Sequence, residues 1–537
     1  MKMNRGLILG SVAVLLLTGG AQAADLPLKA RAIEYVKVCS LYGAGFYYIP
    51  GTDTCLKLGG YVRIDTNANG GIYHAPAWNG SLGAGDRFRD YFTGRSRGAL
   101  TVDTRTATEY GVVRAFFQGD FNFSTFNGGG GTNPALVAAN AAGVNVGGLL
   151  DTAGSNGWAG LEYAMVQFAG FTFGKSASAY STPWHGYPGN TTSFLLGGED
   201  SVSGLPNVQY TADFGNGVSG SVGLDENRVF DRTNLSNVTL TAAGSQFTGN
   251  LGNSYGGNHA PDIVGRIRLD QAWGLAQLSA AAHNLNATYY NPANETSGHP
   301  SDAWGFAVMG ALQVKNLPTG PGDDFKIEAS YAEGATKYVI ATSGGSPAFA
   351  MFGGTSLPGG YQSVAVGYTT DGVYAGSGPA NGTAIQKTQA FGVRGAYNHN
   401  WNPQWSTSLF GSASWVRYPG SGNSDLANGI VSAAGLVCNK MFAGGALTGA
   451  PLLAAVSANY SCNPNFAIYQ LGTVTRWTPV ANLTFSAEVL WTKLDQSMQG
   501  SAVPAAVPAT LAKPGGVAYE FRDQNTVSLN VRVQRNF

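Results

Sequence analysis

"NTVSLNVRVQRNF", residues 525–537, alternates without interruption. Val527, Leu529, Val531, Val533, Arg535 and Phe537 share one face, while Ser528, Asn530, Arg532, Gln534 and Asn536 share the other. A period of two belongs to a β-strand with one mostly apolar and one polar side. The same split recurs upstream. In residues 55–67, Leu56, Leu58, Val62 and Ile64 oppose Lys57, Tyr61, Arg63 and Asp65. In residues 111–124, Val113, Ala115, Phe117, Phe121 and Phe123 oppose Arg114, Phe116, Gln118, Asp120 and Asn122. Ile263, Ile267 and Leu269 oppose Arg266, Arg268 and Asp270, and near the end Phe485, Ala487, Val489 and Trp491 oppose Ser486 and Glu488. The polar faces carry too much charge for a sandwich core, and the apolar faces are too continuous for a wetted surface. A barrel with lipid outside and water inside accounts for both.

Composition leads to the same place. Only 12% of residues are charged, against 77 glycines and 25 tyrosines; soluble domains carry about 25%. The chain opens with Lys2 and Arg5 ahead of an apolar run from Leu7 to Leu17, followed by Ala21-Gln22-Ala23, the form of a signal-peptidase site. Residues 1–23 therefore read as a cleaved signal peptide, 24–54 as a periplasmic N-terminal segment and 55–537 as a transmembrane barrel. Beyond the leader no apolar run approaches the length of a spanning helix, about 20 residues. In lipid every backbone polar group must be satisfied internally, so a chain without such helices crosses only as a closed barrel. The 31 basic and 31 acidic residues balance before the leader is removed, and two bases leave with it. That balance excludes a nucleic-acid partner, which needs a basic surplus or a clustered basic face.

Connections come in two lengths. "FGNGVSG" (214–220), "RLDQAWGLAQ" (268–277), "HNWNPQWST" (399–407) and "WTPVANLTF" (477–485) are tight joins suited to periplasmic turns. Residues 125–157, 228–260, 338–386, 418–465 and 494–522 are long, rich in Gly, Ala, Ser and Asn, and lack steady alternation; they read as extracellular loops. The pattern blurs between 125 and 160 and between 386 and 466, and the strand count comes to about sixteen. An antiparallel barrel of that size encloses an aqueous channel rather than a packed core.

Four cysteines in an exported chain imply pairing. Of the three connectivities, Cys39–Cys55 and Cys438–Cys462 each lie within one loop or strand approach, whereas the crossed pairings join opposite sides of the membrane. Zinc ligand spacing of the C-x₂₋₄-C kind is absent, and no metal or other cofactor is expected. Enzyme motifs are weak. The histidines lack ligand spacing, "GNSYG" around Ser254 sits in a Gly/Asn-rich loop rather than a strand-turn-helix elbow, and "GFTFGKS" at 170–176 is one residue short of a phosphate loop.

Residues 34–65, "EYVKVCSLYGAGFYYIPGTDTCLKLGGYVRID", closely resemble the N-terminal segment of the alphaproteobacterial outer-membrane porins. The two cysteines, the Tyr-Gly-Ala-Gly-Phe-Tyr-Tyr-Ile-Pro-Gly run and the Gly-Tyr-Val-Arg start of the first strand carry the match. It continues through "YAMVQFAGFTFGKSASAYS" at 163–181 and the terminal "VRVQRNF". The resemblance implies a sixteen-stranded barrel, a homotrimer in outer-membrane lipid and lipopolysaccharide, and passive diffusion of small hydrophilic solutes. It also makes Phe537 similar to the terminal aromatic read by the barrel-assembly machinery; a girdle residue at the periplasmic interface is the other reading. A plugged structural or adhesive surface barrel without conductance is the rival function.

A diffusion channel is defined by its constriction. Parity places Arg63, Arg95, Arg97 and Arg114 on the polar face of three neighbouring strands, where they form a basic wall or pair singly with Asp65, Asp103 or Asp120. In porins resembling this chain the third external loop folds into the barrel. Here it runs through "TPWHGYPGNTTSFLLGGEDSVSGLPN" to about residue 207, and Glu199 and Asp200 are its acids. They either face the arginines across the pore, giving a transverse field, or sit on an exposed turn.

Overall fold

The structure is a computed structural model that describes residues 37–125, 157–184, 186–200, 202–228, 233–240, 247, 252–340, 348–421, 431–438, 453–505 and 513–537. The expected leader, with its cleavage after Ala23, lies outside the described residues. Antiparallel strands close into a barrel of sixteen: β1 (Thr54–Ala68), β2 (Phe92–Thr108), β3 (Gly111–Ser124), β4 (Gly157–Phe168), β5 (Phe171–Ser176), β6 (Leu205–Gly215), β7 (Val218–Asp225) and β8 (Asp262–Gln271), then β9 (Gly274–Leu285), β10 (Ala303–Lys315), β11 (Asp324–Glu333), β12 (Gln389–Asn400), β13 (Trp405–Arg417), β14 (Phe466–Val480), β15 (Leu483–Gln496) and β16 (Gln524–Asn536). Each strand pairs with its sequence neighbour. The terminal strand returns to the first, with Ile64 opposite Val533 and Val62 opposite Arg535.

The C-terminal residue extends this seam. Gly60 and Phe537 exchange both backbone hydrogen bonds, at 3.2 and 3.1 Å. A Cβ on Gly60 would stand 2.1 Å from the Ala99 carbonyl oxygen and 2.9 Å from the Phe537 ring. Glycine is therefore required where the seam is tightest.

Alternation sorts the side chains as amphipathic strands must in a lipid-facing barrel. Val62 and Ile64 are half exposed on the outside, and their neighbour Asp65 is 1% exposed inside. The inner connections are short. At Asn216–Gly217 both residues have positive φ (53° and 77°), the backbone of a two-residue hairpin turn that Asn-Gly favours. Among the described residues no helix is long and apolar enough to cross a membrane.

The outer loops carry strands that the sequence, lacking steady alternation there, did not reveal. Strands Phe349–Gly353 and Gln362–Gly367 of the sixth loop (334–388) join Leu453–Val456 of the seventh (418–465) and Ser501–Pro504 and Tyr519–Phe521 of the eighth (497–523) in one five-stranded sheet. A second sheet joins Asn234–Asn237 of the fourth loop to Thr370–Tyr374 and Gln386–Lys387. These strands are short, and Gln362–Gly367 and Thr370–Tyr374 are buried on both sides, so they show no alternation to read. Trp78 of the first loop (69–91), 2% exposed, packs edge-on to Phe349 (5.0 Å between centroids) and Phe194 (5.9 Å). The loops thus share one apolar core above the lumen. Cystines Cys39–Cys55 and Cys438–Cys462 are both present; the first ties the segment before β1 to that strand, and the second closes within the seventh loop.

Candidate functional site

The third outer loop, residues 177–204 between β5 and β6, turns inward and is stitched to the lumenal wall. Wall side chains donate to its carbonyls: Gln277 to Ser181 (2.8 Å), Arg268 to Pro183 (3.0 Å), Asn398 to Pro188 (3.2 Å) and Arg476 to Gly189. Arg532 reaches Thr191 (3.3 Å), Gln470 reaches Phe194 (2.9 Å), and Arg394 reaches both Leu195 (3.0 Å) and Glu199 (3.2 Å). Most of these side chains belong to β8, β9, β12, β14 and β16, so the loop lines the wall away from β2–β4. A loop without regular structure buries many backbone polar groups, and each needs such a partner.

Its tip is held by a carboxylate. Glu488 of β15, fully buried, accepts from the backbone N–H of Thr191 and of Thr192 (3.0 Å) and lies 2.8 Å from His74 Nδ1 of the first loop. His74 Nε2 lies 2.9 Å from Ser528 Oγ on β16. First loop, third loop and two wall strands therefore meet at one carboxylate–imidazole contact. Ser193 N also donates to the Tyr73 carbonyl (3.0 Å).

On the facing wall, β1–β4 carry the expected arginines at different levels. Arg63 stands opposite Arg97 and Asp65 opposite Arg95, whereas Arg114 stands opposite Arg105 near the inner turn. Three of the four have carboxylate partners. Arg95 and Arg532 share Asp65, each at 2.6 Å. Arg97 meets Asp120 (2.6 Å) and Glu162 (3.2 Å), and its guanidinium also donates to Tyr73 Oη (3.0 Å). Arg114 and Arg105 share Asp103, at 3.0 and 2.9 Å. Arg63 is different: it donates to Gln534 (2.7 Å), lies over the Tyr61 ring (4.6 Å), and has no carboxylate within 4.0 Å among the described residues.

Glu199 and Asp200 do not stand in open water across from these arginines. They are 3% and 4% exposed. Glu199 accepts from Ser181 Oγ (2.8 Å), and Asp200 lies 3.8 Å from Arg394 of β12, a residue itself paired with Glu328 of β11. The preceding glycines account for the placement. A Cβ on Gly198 would stand 2.0 Å from the Glu328 carboxylate, and one on Gly197, at φ +100°, 2.7 Å from the Val393 carbonyl. The Gly-Gly step lets the backbone lie flat against the wall and carries the next two acids with it. Sequence reasoning missed Glu488, Gln470 and His74 as loop anchors; inward parity marked Glu488, but nothing marked its partner. Ser254, from the esterase-like motif, accepts the Asn237 N–H at 3.1 Å in the fourth loop, a backbone role.

The fold and the sequence both have relatives. The outer membrane channel DcaP of Acinetobacter baumannii is similar in fold, with a TM-score of 0.53 and 14% identity over 91% of this chain and 99% of that one. Porin Omp2b of Brucella abortus is 31% identical over 276 residues, half of this chain and 63% of the relative; Omp2b of Brucella melitensis is 32% identical over the same share. The match thus spans less than two thirds of these relatives' length. A barrel with a lipid-facing apolar band and a polar lumen is an outer-membrane protein. The model of the family described as the Porin subfamily matches residues 25–530, and the chain belongs to that family.

Proposed function

We propose that this protein is a water-filled channel through which ions and small hydrophilic solutes diffuse passively across the outer membrane. The observation that carries the reading is the third loop, folded into the lumen and bonded to the wall strands along its length. Such a loop narrows a sixteen-stranded barrel without filling it, and leaves β1–β4 as the open side. Arg63 forms that side's accessible basic face, with Arg95 and Arg97 paired to carboxylates beside Tyr73 behind it; Arg114 belongs to the inner vestibule, and Glu199 and Asp200 brace the loop from behind. Selection is then by size and field, with no bond chemistry. The chain assembles as a homotrimer in lipid and lipopolysaccharide, and the assembly machinery reads the strand ending in Phe537.

Planar-bilayer recording of the refolded full-length protein tests this. Current steps in threes are expected. A folded barrel that stays silent would favour the plugged surface protein, a reading supported by the apolar core shared by the outer loops.

A further inference from the structure

Charge is not spread evenly over the lumen. At two levels of the wall carboxylates are outnumbered: Asp65 serves Arg95 and Arg532, and nearer the inner turn Asp103 serves Arg105 and Arg114. Three further guanidiniums have no carboxylate within 4.0 Å among the described residues. Arg63 donates to Gln534, Arg266 of β8 to Ser221 Oγ (3.2 Å), and Arg476 of β14 to Ser408 Oγ (2.8 Å) and the Gly189 carbonyl. All three are partly buried and keep some surface at the water. Arg63 and Arg266 each use only Nε in these bonds, which leaves their terminal amino groups to the channel.

Five of the acids that balance the chain lie out of reach of the water, whereas Asp270, on the strand of Arg266, is exposed and paired with Arg268 (2.6 Å). Asp225, Asp262 and Asp371 are each 0% exposed beneath the outer loops, with Asp262 bound to His283 (2.7 Å) and Tyr338 Oη (2.6 Å). Glu328 and Glu488 are equally buried against Arg394 and His74. A diffusing ion meets the cations directly and these carboxylates only through their partners.

We infer that the channel prefers anions, small carboxylates and phosphates above all, and that Arg63 and Arg266 are the residues that set this preference. The inference rests on the channel reading. Guanidinium suits the task because it stays charged and offers paired donors that match a carboxylate or phosphate edge. At about 8 Å through water one unit charge changes an ion's local concentration roughly twofold, and physiological salt weakens this within the same distance.

The test is the reversal potential of the full-length protein in a planar bilayer under a potassium chloride gradient at low salt. A chloride-over-potassium permeability ratio above one is expected. Arg63→Gln with Arg266→Gln should lower it by roughly fourfold per charge removed, because chloride falls and potassium rises about twofold each, while Arg63→Lys with Arg266→Lys keeps it. Phosphate added to one side should reduce the wild-type current more than that of the glutamine variant. Conducting channels that prefer potassium, or a ratio unmoved in the glutamine variant, would overturn the inference and leave the channel reading intact. A folded but silent barrel would overturn the channel reading itself.

Discussion

Glu488→Ala tests whether the third loop is held as the geometry indicates. The carboxylate is fully buried and takes two backbone N–H groups, from Thr191 and Thr192, and the ring nitrogen of His74. Truncation leaves these groups facing a cavity. A buried unsatisfied donor costs roughly 1–3 kcal/mol, so three amount to on the order of 5 kcal/mol. What the tip then keeps on the wall strands is two long contacts, Arg532 to the Thr191 carbonyl (3.3 Å) and Thr191 Oγ1 to Asn530 (3.4 Å), while Thr192 Oγ1 and Ser193 N still bond the His74 and Tyr73 carbonyls of the first loop (2.9 and 3.0 Å). The tip, residues 190–193, should leave the wall, while Gln470 and Arg394 still hold residues 194–199. The barrel should survive, because β15 pairs with β14 and β16 through its backbone. Single-channel recording reads the outcome: a changed conductance and a noisier open state, with heat-modifiable electrophoretic mobility confirming the fold. Glu488→Gln keeps one acceptor oxygen but turns an amide donor toward an N–H, and should fall between. Wild-type conductance and a quiet open channel in Glu488→Ala would refute the reasoning.

Three other outcomes follow from local geometry. Gly198→Ala places a methyl against the Glu328 carboxylate locked on Arg394; overpacking of this kind costs about 1–3 kcal/mol, and the midpoint of thermal unfolding should fall. Reducing Cys438–Cys462, which closes 24 positions of sequence, removes roughly 3 kcal/mol of restraint from the seventh loop; limited proteolysis should then cut that loop while conductance persists. Glu520 of the eighth loop accepts from Thr355 Oγ1 (2.5 Å) and Ser356 N (3.0 Å), and the Thr355 bond holds its carboxyl below the ordinary range. Its folded value is depressed, so the contact stabilises above the unfolded value and is lost as pH falls through the folded one; protection of the Ser356 amide relative to its intrinsic exchange rate should fall in acid and stay high at neutral pH.

Parity along a strand is a strong signal because the period is two, and it assigned Arg63, Arg95, Arg97 and Arg114 to the inner face. Height is a different quantity. It depends on register between strands, and register is set by pairings that cross long loops: Arg97 faces Arg63, whereas Arg105, eight positions further along β2, faces Arg114. At about 3.4 Å per residue those positions are roughly 27 Å apart along the strand, so four arginines on one face do not make one ring. Glu199 and Asp200 posed a harder problem. Their direction is decided by Gly197 and Gly198 lying flat against Val393 and Glu328, a contact between segments more than a hundred residues apart. The outer sheets escaped for a physical reason as well. Thr370–Tyr374 is buried on both sides, and a strand without a wet face has no alternation to reveal it.

Net charge shows most clearly what a linear reading loses. Equal numbers of acids and bases describe a neutral chain, and neutrality argues against a polyanionic partner. It says nothing about a channel, whose permeant ions sample only the wall they pass. Folding separates the two signs: Asp225, Asp262 and Asp371 are buried beneath the outer loops, and Arg63, Arg266 and Arg476 remain at the water. Within a Debye length of about 8 Å the nearest charges dominate, so a neutral protein can present a positive pore. The preference for anions is thus a property of which carboxylates the loops cover, and uncovering them would change the selectivity without changing any residue of the wall.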